Sequence, residues 1–234
     1  MAVTDPIQTS LYFQTPIFYV EIPEWVDSVD KVCDKYIEEA KKNNQKIIED
    51  RENNFNKKGL GDIGMSHHSS SLINDPELKE FQDYISKTSF NVLDCMGYDV
   101  SGYALFLTEF WVQHFAEKGG GHHEGHIHYD NHVSGFYFLR CSEKTSIPVF
   151  HDPRYAKVMA DLPRKNETEV SMASSMINYK PKPGTMIFIP AYLEHQFTVD
   201  PGVDDFRFIH FNLQAIRKMI INTFKSGRGQ GFPI

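Results

Sequence analysis

The stretch GHHEGHIHYDNHVSGFYFLR, residues 121–140, carries five of the eleven histidines of the chain and then turns strongly apolar. If it is extended, side-chain alternation puts His126, His128 and Asp130 on one face, with every second residue about 6.5–7 Å apart. Side chains at that spacing can converge on one metal ion. The stretch therefore predicts a strand whose polar face binds a metal.

Two residues further along the chain extend this hypothesis. His195 stands at the start of a later β-rich run, where a neighbouring strand can supply a third ligand. With His128 and Asp130 it would form two histidines and one carboxylate, the facial set that leaves positions open on a non-haem ferrous ion. Arg207 lies on another β-rich run. An arginine that faces a barrel interior needs an anion, and its guanidinium group suits a carboxylate.

The rest of the chain predicts an α+β fold. Amphipathic periodicity predicts one helix from Glu24, and a second helix begins at Asn74-Asp75-Pro76, a capping residue followed by proline. After Gly97 the chain is a series of short β-rich runs separated by Gly, Pro and Asp. We predict strands at Tyr103–Phe115, His126–Leu139, Ile147–Phe150, Met176–Tyr179, Thr185–Ile189, Gln196–Val199 and Phe206–Phe211. Two helices followed by seven short strands favour a jelly roll braced by helices.

We expect one structural domain overall, in three parts. Residues 1–98 are predicted to form an N-terminal strand and supporting helices, residues 99–215 the catalytic core, and residues 216–234 a C-terminal tail.

Composition excludes several classes of function. A net charge of −7, from 24 basic and 31 acidic residues, argues against a nucleic-acid partner. No apolar run approaches the roughly 18–20 residues of a membrane helix, and the N-terminus lacks the pattern of a signal peptide. The three cysteines lie in separate segments and predict neither disulfides nor a cysteine zinc site. We therefore expect a cytoplasmic protein with no membrane partner.

Several motifs in a fixed order resemble the 2-oxoglutarate/Fe(II)-dependent oxygenases, in particular the putative 2OG-Fe(II) oxygenase family of phages and marine bacteria, which is related to prolyl 4-hydroxylases. The resemblance covers Trp111 to Asn212. The motifs that carry it are His128-Tyr129-Asp130, the aromatic strand Ser134–Leu139, Lys182-Pro183-Gly184 with Phe188, His195, and Arg207.

This resemblance implies a double-stranded β-helix, a jelly-roll or cupin-like core, with His128, Asp130 and His195 as the ligands of Fe(II). It implies that Arg207 binds the 5-carboxylate of the co-substrate 2-oxoglutarate and that Tyr137 assists. The implied activity is a dioxygenase that hydroxylates a C–H bond and releases succinate and CO2, with ascorbate as reductant in vitro. The substrate would be a protein or peptide, for example a prolyl residue, or a small molecule.

The ligand register has an alternative. The pair His126 and His128 matches the family pattern as well as the pair His128 and Asp130 does; we favour Asp130 because a carboxylate completes the facial set. Tyr137 and Phe138 likewise compete for one position that faces the iron.

Two other functions stay open. One is a cupin-like metalloprotein that uses His126, His128 and His195 and does not need 2-oxoglutarate. The other is a non-catalytic jelly-roll binding module. The oligomeric state is not predicted.

Overall fold

The computed structural model describes residues 8–54, 56, 58–160 and 162–225. Within these ranges the chain forms ten strands and three α-helices. In chain order they are β1 (Phe18–Glu21), α1 (Val26–Asn53), β2 (Ser66–His68), α2 (Lys79–Cys95), β3 (Tyr103–Phe115), β4 (His123–His126), β5 (Val133–Arg140), β6 (Pro148–His151), β7 (Met176–Asn178), β8 (Thr185–Pro190), β9 (His195–Phe197), β10 (Arg207–Arg217) and α3 (Lys218–Lys225). Short 3-10 turns lie at Pro23–Trp25, Pro76–Leu78 and Tyr155–Ala160.

The strands form two antiparallel sheets that enclose an aromatic interior. The six-stranded sheet has the order β1-β8-β5-β10-β3-β2, and the four-stranded sheet has the order β4-β9-β6-β7. Phe136, Phe138 and Phe208 of the larger sheet pack with Phe150 and Phe197 of the smaller one. Helices combined with two antiparallel sheets confirm the predicted α+β class.

The helices cover the outer face of the six-stranded sheet. In α1 the predicted apolar positions Val29, Cys33 and Ile37 are buried, as the amphipathic pattern requires. Helix α1 extends further than that pattern, to Asn53. At the start of the second helical region the Asp75 carboxylate accepts a hydrogen bond from the Glu77 N–H at 2.9 Å, which confirms the predicted cap.

The β-rich run predicted over His126–Leu139 is confirmed only from Val133 onward. The chain forms β4 and β5, with an irregular segment at 127–132 between them. Asp130 has φ of +60° there, a left-handed conformation that ends the alternation of side chains. Strand β2 was also not expected, because its histidines read as part of a polar loop; it pairs with the end of β3.

The three-part domain division stays a prediction. The helices of the N-terminal part share one apolar core with the six-stranded sheet. Residues 226–234 of the predicted tail lie outside the described residues. Among the described helices none is both long and apolar enough to cross a membrane.

Candidate metal centre

Three histidines from two neighbouring strands come together beside the aromatic interior. His126 ends β4 and His195 begins β9, and the two residues are direct partners in the register of these strands. His128 follows two residues after β4. Potential ligand atoms of the three side chains all lie within 4.8 Å of one another. The Nε2 atoms of His128 and His195 are 3.3 Å apart.

The ring positions fit one shared metal ion. The centroids are 5.0 Å apart for His126 and His128, 4.6 Å for His126 and His195, and 5.1 Å for His128 and His195. Imidazoles bound at metal–nitrogen distances of about 2.0–2.1 Å, with angles between right and tetrahedral, have centroids about 4.5–5.2 Å apart. The three side chains are thus arranged as ligands of one ion would be.

Backbone carbonyls orient two of these rings. His126 Nδ1 donates a hydrogen bond to the Glu124 carbonyl oxygen at 2.7 Å, and His195 Nδ1 donates one to the Leu193 carbonyl oxygen at 2.9 Å. With the proton on Nδ1, the lone pair on Nε2 is free to bind a metal. Such a contact fixes the tautomer of metal-binding histidines generally.

Burial favours the uncharged forms of His128 and His195. Desolvation, followed by the neighbouring histidines, lowers the pKa of His128 to about 2. Desolvation also lowers the pKa of His195 to about 3, although its hydrogen bond to the Leu193 carbonyl acts in the opposite direction. Both imidazoles are therefore neutral at neutral pH, the form that binds metal ions.

A second polar group lies behind His128 and was not predicted. Asn212 Nδ2 donates to Glu109 Oε2 at 2.8 Å and lies 2.9 Å from His128 Nδ1. The His210 ring is 4.5 Å from the His128 ring, and Glu109, His128 and His210 form another set of potential ligands within 4.8 Å. The side-chain alternation along β10 could have predicted this polar group, because it puts His210 and Asn212 on one face of the strand.

Asp130 lies apart from the three-histidine cluster. It is exposed, and it belongs to neither set of potential ligands among the described residues. The expectation that it shares a face with His128 assumed a continuous strand, and the left-handed turn removes that alignment. The structure therefore brings together the ligand set that the sequence left as the alternative, with His126 in place of Asp130.

Arg207 faces away from the histidines, which differs from the expectation of an inward arginine. Its side chain is 5% exposed, and Nη1 lies 2.8 Å from an Asp30 oxygen and 2.6 Å from an Asp34 oxygen, both on α1. Arg140 contacts the same two carboxylates. Arg207 alternates with Phe208, which lies in the aromatic interior, so the two side chains point to opposite faces of the sheet. In this position Arg207 ties α1 to the six-stranded sheet through two ion pairs.

Tyr137 lies on the same outer face as Arg207. Its hydroxyl donates to the Ile22 carbonyl oxygen at 2.9 Å, and its ring packs on Phe81 of α2 at 4.9 Å. Its neighbour Phe138 lies in the aromatic interior instead. The expected assistance of Tyr137 to a bound co-substrate therefore has no support in its position.

Residues 109–212, which include all three histidines, match the model of the family described as "Putative 2OG-Fe(II) oxygenase". This segment, somewhat less than half of the chain, is similar to the 2OG-Fe(II) oxygenases. The match confirms the resemblance to these oxygenases seen over Trp111 to Asn212. None of the curated proteins compared with the chain is similar to it.

The chain is similar to solved structures of 2OG-Fe(II) oxygenases. The carbocyclase SnoK from nogalamycin biosynthesis has a TM-score of 0.51 and 12% identity, over 92% of this chain and 88% of that chain. A Pseudomonas putida prolyl-4-hydroxylase has a TM-score of 0.49 and 8% identity, over 86% and 93%. The viral collagen prolyl hydroxylase of Paramecium Bursaria Chlorella virus-1 has a TM-score of 0.48 and 13% identity, over 86% and 96%. At such identities the likeness to SnoK shows the fold alone, the double-stranded β-helix that the sequence predicted.

Proposed function

We propose that this protein is an Fe(II)- and 2-oxoglutarate-dependent dioxygenase that hydroxylates a C–H bond, with iron bound by His126, His128 and His195. The observation that carries the proposal is the convergence of three histidine side chains, with potential ligand atoms within 4.8 Å of one another, inside the family-matched segment. Bound Fe(II) would supply the activation of dioxygen for attack on the C–H bond.

The chain provides a partly dry setting for that ion. Phe136 and Phe150 lie 5.2 Å and 6.4 Å from the His195 ring and are both buried. His195 itself is fully buried. These rings exclude water from one side of the ligand cluster, while three nitrogen ligands leave further coordination positions for other ligands.

The use of 2-oxoglutarate, with release of succinate and CO2, is proposed from the family match. Arg207 has no part in this proposal, because it is paired with α1. Asn212, whose Nδ2 lies 2.9 Å from His128 Nδ1, is better placed. Its Oδ1 and the Oγ of Ser134, its partner in the register of β5, are buried and have no hydrogen-bond partner among the described residues. Such atoms favour a polar ligand next to the metal. Ascorbate is the reductant we would add in vitro.

The proposed substrate is a protein or peptide, hydroxylated for example at a prolyl residue, or a small molecule.

A second candidate function is a cupin-like metalloprotein that uses the same three histidines without 2-oxoglutarate. Two observations favour it: Arg207 faces away from the cluster, and no carboxylate belongs to the His126, His128 and His195 set. Binding of 2-oxoglutarate separates the two functions.

Anaerobic calorimetric titration tests the ligand set first. We expect Mn(II) to bind the wild type at one site and the Asp130→Ala variant equally well, and to bind His126→Ala at least about tenfold more weakly. Loss of binding in Asp130→Ala with retention in His126→Ala would overturn the assignment. Circular dichroism of each variant controls for folding.

Titration of the Mn(II)-loaded protein with 2-oxoglutarate then tests the co-substrate. If 2-oxoglutarate binds only when the metal is present, and still binds in Arg207→Met, the result supports the dioxygenase. Release of succinate in the presence of Fe(II), oxygen and ascorbate would show turnover in addition to binding. Metal binding without any 2-oxoglutarate binding would reject the dioxygenase in favour of the second candidate.

A further inference from the structure

A cavity of about 460 Å³ opens beside His128, on the side of the 127–132 segment. This volume lies within the range of about 300–1,000 Å³ typical of small-molecule sites. His128 lines the cavity and also belongs to the three-histidine cluster, so a ligand held here lies next to the proposed metal. The 190–192 segment and the 98–103 loop complete the walls. Besides His128 and His132, the tyrosines and aspartates in these walls are Tyr98, Asp99, Tyr103, Tyr129, Asp130 and Tyr192.

The chemistry of these walls is selective. Four tyrosines and two aspartates line the cavity, and among the described residues that line it none is a lysine or arginine. Asp99 Oδ1 accepts hydrogen bonds from the Ser101 N–H at 3.0 Å and the Ser101 hydroxyl at 2.7 Å, which lower the pKa of Asp99 and keep it ionised. Arg217 borders the cavity without lining it: its Nε donates to the Tyr103 hydroxyl at 3.1 Å, and its guanidinium lies over the Tyr103 ring at 5.9 Å, which leaves the other three tyrosine rings for a ligand. The walls thus combine negative charge with aromatic faces.

We propose that this cavity binds the substrate and that the substrate carries a cationic, alkylated ammonium group on an apolar body. Aromatic rings attract such a cation through their electron-rich faces, and the two carboxylates complement its charge. The apolar wall formed by Leu93, Met96 and Ile127 suits the uncharged part. The inference rests on the proposed function, because it takes His128 as a metal ligand.

The same walls disfavour a dicarboxylate. The carboxylates of 2-oxoglutarate would face Asp99 and Asp130 with no cation among the lining residues, and like charges repel. Substrate and co-substrate therefore occupy different places around the metal.

Three probes of similar size and shape test the inference: choline, its uncharged isostere 3,3-dimethylbutan-1-ol, and the anion 3,3-dimethylbutanoate. Each is titrated calorimetrically into the full-length protein loaded with Zn(II), which is redox-inert, and again into the metal-free protein. We expect choline to bind at least about tenfold more tightly than the alcohol, and the anion not to bind. Equal binding of choline and the alcohol, preference for the anion, or binding of none of the three at millimolar concentration would overturn the inference.

Charge-removing variants locate the site. Asp99→Asn and Asp130→Asn should each weaken choline binding about three- to tenfold, because each removes one carboxylate but keeps a polar side chain of the same size. Asp50→Asn, on the exposed surface of α1, is the matched control and should leave it unchanged. Unchanged binding in both cavity variants would overturn the inference. These titrations do not depend on turnover. If choline does not bind while Mn(II) and 2-oxoglutarate do, the proposed substrate class is rejected and the proposed function is not.

Discussion

Replacing Arg207 with methionine should lower stability and leave the metal centre intact. The change keeps most of the buried side-chain volume and removes two charged hydrogen bonds, to Asp30 and Asp34 at 2.8 and 2.6 Å. Charged hydrogen bonds contribute about 1.5–3 kcal/mol each. Because Arg140 stays with both carboxylates and the Asp34 side chain is 48% exposed, we discount the total to about 2 kcal/mol. For a chain of 234 residues that corresponds to a fall in Tm of about 4–8 °C.

Thermal unfolding and anaerobic Mn(II) titration of the same Arg207→Met preparation check this expectation. The hydrogen bond from Arg207 lowers the pKa of Asp34, so the ion pair stabilises the fold above the carboxylate's unfolded pKa of about 4 and loses its effect as pH falls below it. The variant should therefore resemble the wild type more closely in acid than at pH 7. An unchanged Tm together with weakened metal or 2-oxoglutarate binding would refute the reasoning, because it would put Arg207 at the site.

Three further outcomes are expected. Burial, and then the charge of nearby Arg207, lowers the pKa of His114 to about 3, so below about pH 6.5 the unfolded chain binds a proton at this residue that the folded state does not. The wild type should therefore lose stability between pH 7 and pH 5, and the loss measured by urea denaturation should be smaller in His114→Asn by up to about 2 kcal/mol. Equal losses in the two proteins would contradict this. Gly135→Ala should destabilise the fold by about 3 kcal/mol or more, because the added Cβ would collide with the Ile187 carbonyl oxygen of the paired strand. Gly102→Ala is the control, since the space around Gly102 is open. Similar unfolding midpoints for the two variants would count against the packing described. Mn(II) at about 100 times its Kd should raise the unfolding free energy of the wild type by about 2.7 kcal/mol and that of His195→Ala not at all, as followed by differential scanning fluorimetry; a full shift in the variant would exclude His195 as a ligand.

Local pattern was sufficient for most of the secondary structure. The apolar spacing in α1 matches its buried face, and Tyr103–Phe115 is a strand with the bounds that its composition indicated. The residues 127–132 were the exception. Nothing in His128-Tyr129-Asp130 signals a turn strongly enough to outweigh the alternating pattern around it, so one long strand was expected where the chain makes two.

At the candidate metal centre, too, the sequence predicted some features and the path of the backbone decided others. Five histidines between His122 and His132 indicated a metal centre, and their order with His195 indicated the family. Which second ligand joins His128 depended on the path of the backbone, because a left-handed residue at Asp130 reorients its side chain while the pairing of β4 with β9 brings His126 against His195.

The sequence by itself determined the two-helix and β-rich order, the histidine cluster and the separation of Arg207 and Phe208 onto opposite faces of one strand. Only the tertiary structure decided which of those faces is the interior. The two-residue alternation of side chains along a strand determines which residues share a face, but it does not determine which face is buried. Packing with the distant helix α1 makes that choice, because its Asp30 and Asp34 stabilise the Arg207 cation outside the aromatic interior.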